Sequence, residues 1–317
     1  MIQASPARPI ESQRSSSCWR AVHGILLFDK PRGPSSNRAL QQVRRIYRAE
    51  KAGHTGSLDP LASGLLPICF GEATKIAGLL LGSDKAYEAE CRLGVTTSTD
   101  DAEGEVVTER AVPRLSPSTV ESELAALTGL INQVPPVYSA IKRDGVPLYR
   151  RARRGEHVAA SPRQIEVKRL DLVHMTPAGL RLHIECGSGT YVRSLVRDLG
   201  ERLGCGAHVS ALRRLWIEPF RNPAMTDIEA LETLAKSGDA AIDALLVPIE
   251  LGLAGYPTVR LDAEAAVRLS HGQTVGIEVA HAQGRCVALD EHGRALALCV
   301  CDGQGFLTPV RGFNLPR

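Results

Sequence analysis

Gly53-His54-Thr55-Gly56-Ser57-Leu58-Asp59-Pro60-Leu61-Ala62-Ser63-Gly64 is the stretch on which the reading of this chain turns. Its glycines free the backbone for tight turns and close approach, and its one carboxylate, Asp59, stands directly before a proline. Pro60 pushes Asp59 out of the helical region and itself suits the first position of a helix. Asp59 therefore reads as an N-cap that accepts backbone amide hydrogen bonds, with helix-like sequence continuing to about residue 81. It also reads as a carboxylate held on a rigid turn, with glycines leaving room for a ligand beside it. Both readings can hold together. The stretch lacks the Gly-Lys-Ser/Thr that would make it a nucleotide loop.

Working outward, Gly24 to Lys30 reads as a short apolar strand, and Lys30-Pro31-Arg32-Gly33-Pro34 turns the chain. Ser35 or Ser36 then caps a helix that carries Leu40, Val43, Ile46 and Tyr47 on one face. Residues 87–93 and 180–186 alternate with the period of two expected of half-buried strands. Between them lie a polar, acidic loop at 96–104, a helix at 119–127 and a Pro- and Arg-rich loop with a short helix at 134–157. Ile165 and Val167, followed by Leu170 and Leu172, predict a strand with an irregularity. After Gly187-Ser188-Gly189 comes the clearest helix, with Val192, Leu195, Val196, Leu199 and Leu203 at helical spacing and Gly204 closing it. Arg193 falls on the opposite face at the start of this helix, where the helix dipole disfavours a cation unless an anion faces it.

The chain has 317 residues, 44% of them apolar and 23% charged, which is globular composition and allows two domains. No apolar run approaches the ~18 residues of a membrane span, so no membrane association is expected. The Pro- and Gly-rich stretch at 247–257 marks a boundary, followed by short strands around one helix at 263–269. The expected organisation is a disordered tail at 1–22, a main domain at 23–250 and a small β-rich domain at 251–317. Net charge is only +3, but basic residues cluster at 38–51 and again at 142–154, where Lys142, Arg143, Arg150, Arg151, Arg153 and Arg154 face one Asp144. Such clusters are solvated faces or phosphate-binding surfaces. The eight cysteines form no C-x-x-C pair, so there is no nucleus for a zinc site. Free buried thiols suit a reducing cytoplasm.

These residues carry a resemblance. The sequence from Gly53 through Pro67 resembles the catalytic loop of TruB-type pseudouridine synthases, and further matches keep that family's order. They are Lys30-Pro31 before Ser35-Ser36-Asn37, then Gly71-Glu72-Ala73-Thr74-Lys75, Lys85 with Tyr87, Gln133-Val134-Pro135-Pro136, Gly189-Thr190-Tyr191-Val192-Arg193-Ser194, Gly204-Cys205-Gly206-Ala207-His208 and Leu212-Arg213-Arg214. The resemblance covers roughly residues 23–250. More weakly, the last section resembles the PUA-like RNA-binding domain of bacterial members.

The resemblance implies a mixed α/β fold around a largely antiparallel sheet, with the site in a cleft across it. It implies isomerisation of the T-loop uridine of tRNA, position 55 by convention, after the base is flipped out of its stack. No cofactor and no metal are expected, and the enzyme is expected to act as a monomer in the cytoplasm on the tRNA T-arm. Asp59 matches the nucleophile or base and Arg193 its ion-pair partner. Tyr87 matches the residue that stacks on the flipped base, Tyr191 and Leu212 complete its pocket, His54 props the opened loop, and Lys30 belongs with the substrate-binding set. The basic stretch at 142–154 falls in the family's RNA-clasping insertion. Two other classes compete: a catalytically silent RNA-binding or tRNA-folding protein on the same scaffold, and a small-molecule hydrolase or lyase using Asp59 and His54.

Overall fold

The computed structural model describes residues 19–139, 141–143, 145–152, 154, 156, 160–277 and 283–315, with the backbone alone at 142, 143, 147 and 149. Strands β1 (Gly24–Lys30), β2 (Ala52–His54), β3 (Ala62–Phe70), β4 (Lys85–Leu93), β5 (Gly129–Gln133), β6 (Arg163–Thr176), β7 (Gly179–Cys186) and β8 (Ala207–Ile217) form one sheet. Its order is β1-β3-β8-β4-β7-β6-β5, with β2 added to β3. Every pairing is antiparallel except β8 with β3. The mixed α/β expectation holds. Helices α1 (Ser36–Tyr47), α2 (Pro117–Ala126) and α3 (Val192–Arg202) pack into the larger of two hydrophobic clusters on this sheet. Ser35 caps α1 by accepting from the Arg38 amide. Among the described residues no helix is long and apolar enough to cross a membrane.

Two expectations need correction. Residues 62–70 are a strand, and a 3-10 turn at Gly71–Ile76 with a short helix at Ala77–Leu81 follows. The run Leu65-Leu66-Pro67-Ile68-Cys69-Phe70 is apolar without alternation because β3 is buried on both faces. Leu66, Ile68 and Phe70 enter the cluster beneath α1, while Leu65 and Cys69 enter the one shared with the C-terminal region. Such a run has no strand period to show. Asp59 is consequently no helix cap: its carbonyl accepts from the Ala62 amide at 3.0 Å, closing a turn that leads into the strand. The second correction concerns the N-terminal tail. Trp19 to Val22 lie on the body, where Arg20 donates to both oxygens of Asp243 at 2.9 and 2.8 Å and to the Tyr47 carbonyl at 3.1 Å. Residues 1–18 of the expected tail lie outside the described residues.

The irregularity foreseen between Val167 and Leu170 is a register shift at Val167/Arg169 in the pairing of β6 with β7. One extra residue there moves the inward face from the odd positions to the even ones. The C-terminal strands form a second sheet in the order Thr258–Arg260, Gly284–Leu289, Ala295–Cys301, Phe306–Gly312, Val275–Gly276, around the helix Ala263–Ser270. This β-rich unit rests on the main sheet. Val287, Leu289, Leu298 and Phe313 share a cluster with Ile25, Leu27 and Leu65. At the rim, Lys75 Nζ donates to the Gly312 carbonyl at 2.8 Å, and Glu72 accepts from the Asn314 amide at 2.8 Å. The Gly71 to Lys75 motif thus fastens the small domain to the end of the strand that begins at the Asp59 loop. The seven cysteines among the described residues are all buried.

Candidate active site

The Asp59 loop is held from below by the segment that follows β1. Ser36 Oγ accepts from the Leu58 amide at 2.7 Å and donates to the Leu58 carbonyl at 2.9 Å. The Gly33 amide donates to the Pro60 carbonyl at 2.7 Å. Lys30 is completely buried, and its Nζ donates to the carbonyls of Ala62 at 2.7 Å and Pro31 at 2.9 Å. Burial brings its pKa down to about 8, against the pull of Asp59. Lys30 was expected among the substrate-binding residues. Its ammonium lies beneath the loop, held by these two backbone carbonyls.

Across the cleft, Arg193 Nε lies 2.9 Å from Asp59 Oδ2. Arg193 is 4% exposed, and Val192, Ser194, Leu195 and Val196 beside it are buried as well. The first turn of α3 is enclosed on all sides, so the cation at this helix start meets anions and carbonyls in place of solvent. The guanidinium donates to the carbonyls of Thr99 at 2.8 Å and Tyr138 at 2.9 Å, and it lies 3.5 Å from Asp101 Oδ2. The Asp59 contact is one of charge more than direction, for Nε makes no aligned hydrogen bond. Two carboxylates thus share one cation, which is how a positive charge is tolerated at a helix start.

Asp101 is the member of this group that sequence reasoning missed. It lies in the acidic loop, buried, with Oδ1 accepting from Thr99 Oγ1 at 2.5 Å and from the Glu103 amide at 3.0 Å. Asp100 before it takes a left-handed backbone, φ 60°, and pairs with Arg197 at 3.0 Å. The adjacent acidic pair was visible in the sequence; its burial was not. The Asp59 side chain keeps 41% exposure toward the cleft. The surrounding walls still push its carboxyl above the ordinary carboxylate range, Asp101 adds to the rise, and Arg193 and Lys30 oppose it.

The other expected residues lie on separate elements. Tyr87 (β4) and Leu212 (β8) are both nearly buried, on adjacent strands. Tyr191 caps α3, and its backbone N–H and C=O are both bonded by the Gln133 side chain, at 2.8 and 3.1 Å. The Arg163 guanidinium lies 4.9 Å from the centre of the Tyr191 ring. His54 ends β2, and its Nδ1 accepts from the Gly56 amide at 3.4 Å. Burial, reinforced by Arg214, lowers its pKa, so the imidazole is neutral at neutral pH.

The basic arm is a strand pair, Lys142–Arg143 with Val146–Pro147, followed by the helix Leu148–Ala152. Arg150 and Arg154 are exposed, Arg151 Nε lies 2.7 Å from Glu156, and Arg153 lies outside the described residues. The cluster at 38–51 is partly consumed internally. Arg44 donates to the Ala49 carbonyl at 2.9 Å and lies over the Trp19 ring, and Arg48 pairs with Asp239.

Comparison with known proteins agrees with this architecture. The N-terminal domain model of TruB family pseudouridylate synthases matches residues 44–192, and that of the tRNA pseudouridylate synthase B C-terminal domain matches residues 193–254. The border between them falls at the start of α3, inside the main sheet domain. The chain is 55% identical over 296 residues to tRNA pseudouridine synthase B of Xanthomonas euvesicatoria, covering 93% of this chain and 96% of that protein. It is 49% identical over 293 residues to the protein of the same name from Stutzerimonas stutzeri, covering 92% and 96%. Among solved structures, an archaeal box H/ACA sRNP Nop10–Cbf5 complex superposes with a TM-score of 0.71 at 21% identity, over 94% of this chain and 88% of that one. An H/ACA RNP bound to a substrate RNA containing 2′-deoxyuridine gives 0.72 at 21% identity, over 98% and 88%. The two structures speak for the fold; the near-complete matches at about half identity speak for descent, and with them this chain belongs to the TruB family of pseudouridylate synthases.

Proposed function

We propose that this chain converts the T-loop uridine of tRNA, position 55 by convention, to pseudouridine after flipping it from the stack. One observation carries the reading: a cleft-facing carboxylate, Asp59, set 2.9 Å from the buried cation Arg193. The reaction breaks the bond between C1′ and N1 and forms one between C1′ and C5. C5 gives up its hydrogen and N1 gains one, so nothing is oxidised or hydrolysed overall. What the protein must supply is an anionic nucleophile or base and a site that holds the detached uracil. Asp59 supplies the first. Arg193 favours its ionised form against a raised pKa, a task that grows when RNA closes the cleft and excludes water.

In this reading Tyr87 stacks on the flipped base, Tyr191 and Leu212 complete its pocket, and neutral His54 fills the space the base vacates. The arm at 142–154 holds T-arm phosphates, and the small domain adds a PUA-like RNA contact. The enzyme works as a monomer in the cytoplasm. The names of the relatives from Xanthomonas and Stutzerimonas support the substrate.

The test is an unmodified tRNA transcript tritiated at uridine C5. Tritium release to water, with one pseudouridine recovered on nucleoside digestion, is the expected result. A transcript with cytidine at the target position should release none. A folded chain that binds the transcript and releases no tritium would leave the silent tRNA-folding protein as the better reading.

A further inference from the structure

Arg214 is 1% exposed and among the largest fully buried side chains in the molecule. Among the described residues, no carboxylate lies within ion-pair distance of it. Removing a guanidinium from water without a counter-ion is costly, and folds rarely retain one that does nothing. Arg214 Nε donates to the Leu65 carbonyl at 2.7 Å, and its Nη2 donates to the Gly56 carbonyl at 3.1 Å. Those carbonyls lie on either side of Asp59, one at each end of the catalytic loop.

The backbone is arranged around this residue. Gly64 has φ +98°, and a Cβ there would lie 2.2 Å from the Arg214 carbonyl oxygen. Gly56 has φ +138°, with the Arg214 guanidinium 3.8 Å from where its Cβ would stand. Gly64 is needed for the Arg214 backbone to approach, while Gly56 is held to glycine by its left-handed backbone. On its other side, Arg214 is the direct register partner of Tyr87 in the pairing of β8 with β4. Directly opposed residues project from the same face of a sheet, within side-chain reach. Tyr87 helps keep the Arg214 guanidinium charged against the burial that lowers its pKa.

We propose that Arg214 is a positioning residue for the isomerisation: it locks the Tyr87 hydroxyl and both ends of the Asp59 loop into one frame. The stacking ring and the carboxylate then keep a fixed relation while the base flips and turns. This rests on the reading of Asp59 and Tyr87 given above. Arg214 touches no substrate in this account. Its effect passes through the Tyr87 hydroxyl and the loop carbonyls, which makes the two arms of the effect separable.

The experiment is a double-mutant cycle on the single-turnover rate at saturating tRNA, with tRNA affinity measured alongside. Arg214→Lys keeps the charge but cannot reach its three partners from one planar group. It should slow the wild-type enzyme about thirtyfold with affinity within threefold, and slow Tyr87→Phe by less than about fivefold, because the shared hydroxyl is already gone. Equal losses in the two backgrounds would overturn the proposal and make Arg214 a purely structural residue. Should Arg214→Lys not fold, Tyr87→Phe alone decides. It keeps the stacking ring, and a rate within threefold of wild type would show that the hydroxyl held by Arg214 is dispensable. Inactivity of the wild-type chain itself would refute the proposed function instead, so the two failures are distinguishable.

Discussion

Arg193 and Arg150 both belong to helices bordered by loops, and they hold their charge in opposite ways. Arg193 is enclosed in the first turn of α3, shared between Asp59 and Asp101 and bonded to two carbonyls. Arg150 stands exposed on the short helix Leu148–Ala152. A buried charge with fixed partners cannot adapt, so it sets geometry and the protonation of its neighbours. An exposed one is screened and mobile, so it sets affinity and salt dependence. The cleft and the arm are thus expected to fail differently when broken.

The largest effect belongs to the cleft. Asp59→Asn should lower the single-turnover rate about a thousandfold or more, since the amide cannot act as an anionic nucleophile or base. Transfer RNA affinity should stay within a few-fold. Because the folded state raises the Asp59 pKa, its ionisation works against folding above the ordinary carboxylate range. The variant should therefore melt no lower than the wild type at neutral pH. A clear loss of melting temperature would return Asp59 to a structural role.

Arg193→Met should cost about a hundredfold in rate. It also strips Asp101 of the guanidinium that lies 3.5 Å from its carboxylate, and that side chain is only 4% exposed. Leaving a buried carboxylate unpaired costs about 3–5 kcal/mol, measurable by urea unfolding, and adding Asp101→Asn should recover part of it. In surviving activity the acid limb of the pH–rate profile should move to higher pH. Arg193 pulls the Asp59 pKa down against burial, so its removal protonates more Asp59 at any given acid pH. An unmoved acid limb would separate Arg193 from the carboxylate it faces.

The arm should respond in affinity. Neutralising Arg150, Arg151, Arg153 and Arg154 together should reduce the log–log salt slope of tRNA binding by about 3, at ~0.9 per phosphate contact. Arg151 counts for less because Glu156 already faces it at 2.7 Å. The single-turnover rate at saturating tRNA should change little. An unchanged slope would make the stretch a solvated face. The smallest effect sharpens the same contrast: Glu156→Gln frees Arg151 and should tighten binding about twofold at low salt, as exposed pairs are weak.

Much of this molecule was legible before folding because periodicity and capping are local. The strand at Gly24–Lys30, the Ser35-capped helix and the slip in β6 follow from spacings of a few residues. The Asp59 loop stood out by composition, and the resemblance attached roles to Arg193, Tyr87, Tyr191 and Leu212. β3 was misread because a strand covered on both faces loses its alternation. Helical spacing set Arg193 apart from the apolar stripe of its helix, but spacing tells which residues share a face and says nothing of whether the opposite face is open.

By itself, the sequence determined most of the elements, the Asp59 loop and the kinship of the chain, since each is written in short runs of residues. Only the tertiary structure decided the partners of its buried charges. Asp101 meets Arg193 because the acidic loop folds over the start of α3. Lys30 turns inward to the Ala62 carbonyl, and Arg214 reaches both ends of the loop, because β8 runs parallel beside β3. A charge's neighbours in space come from strands distant in sequence, and the desolvation that makes those neighbours matter exists only once the strands have met.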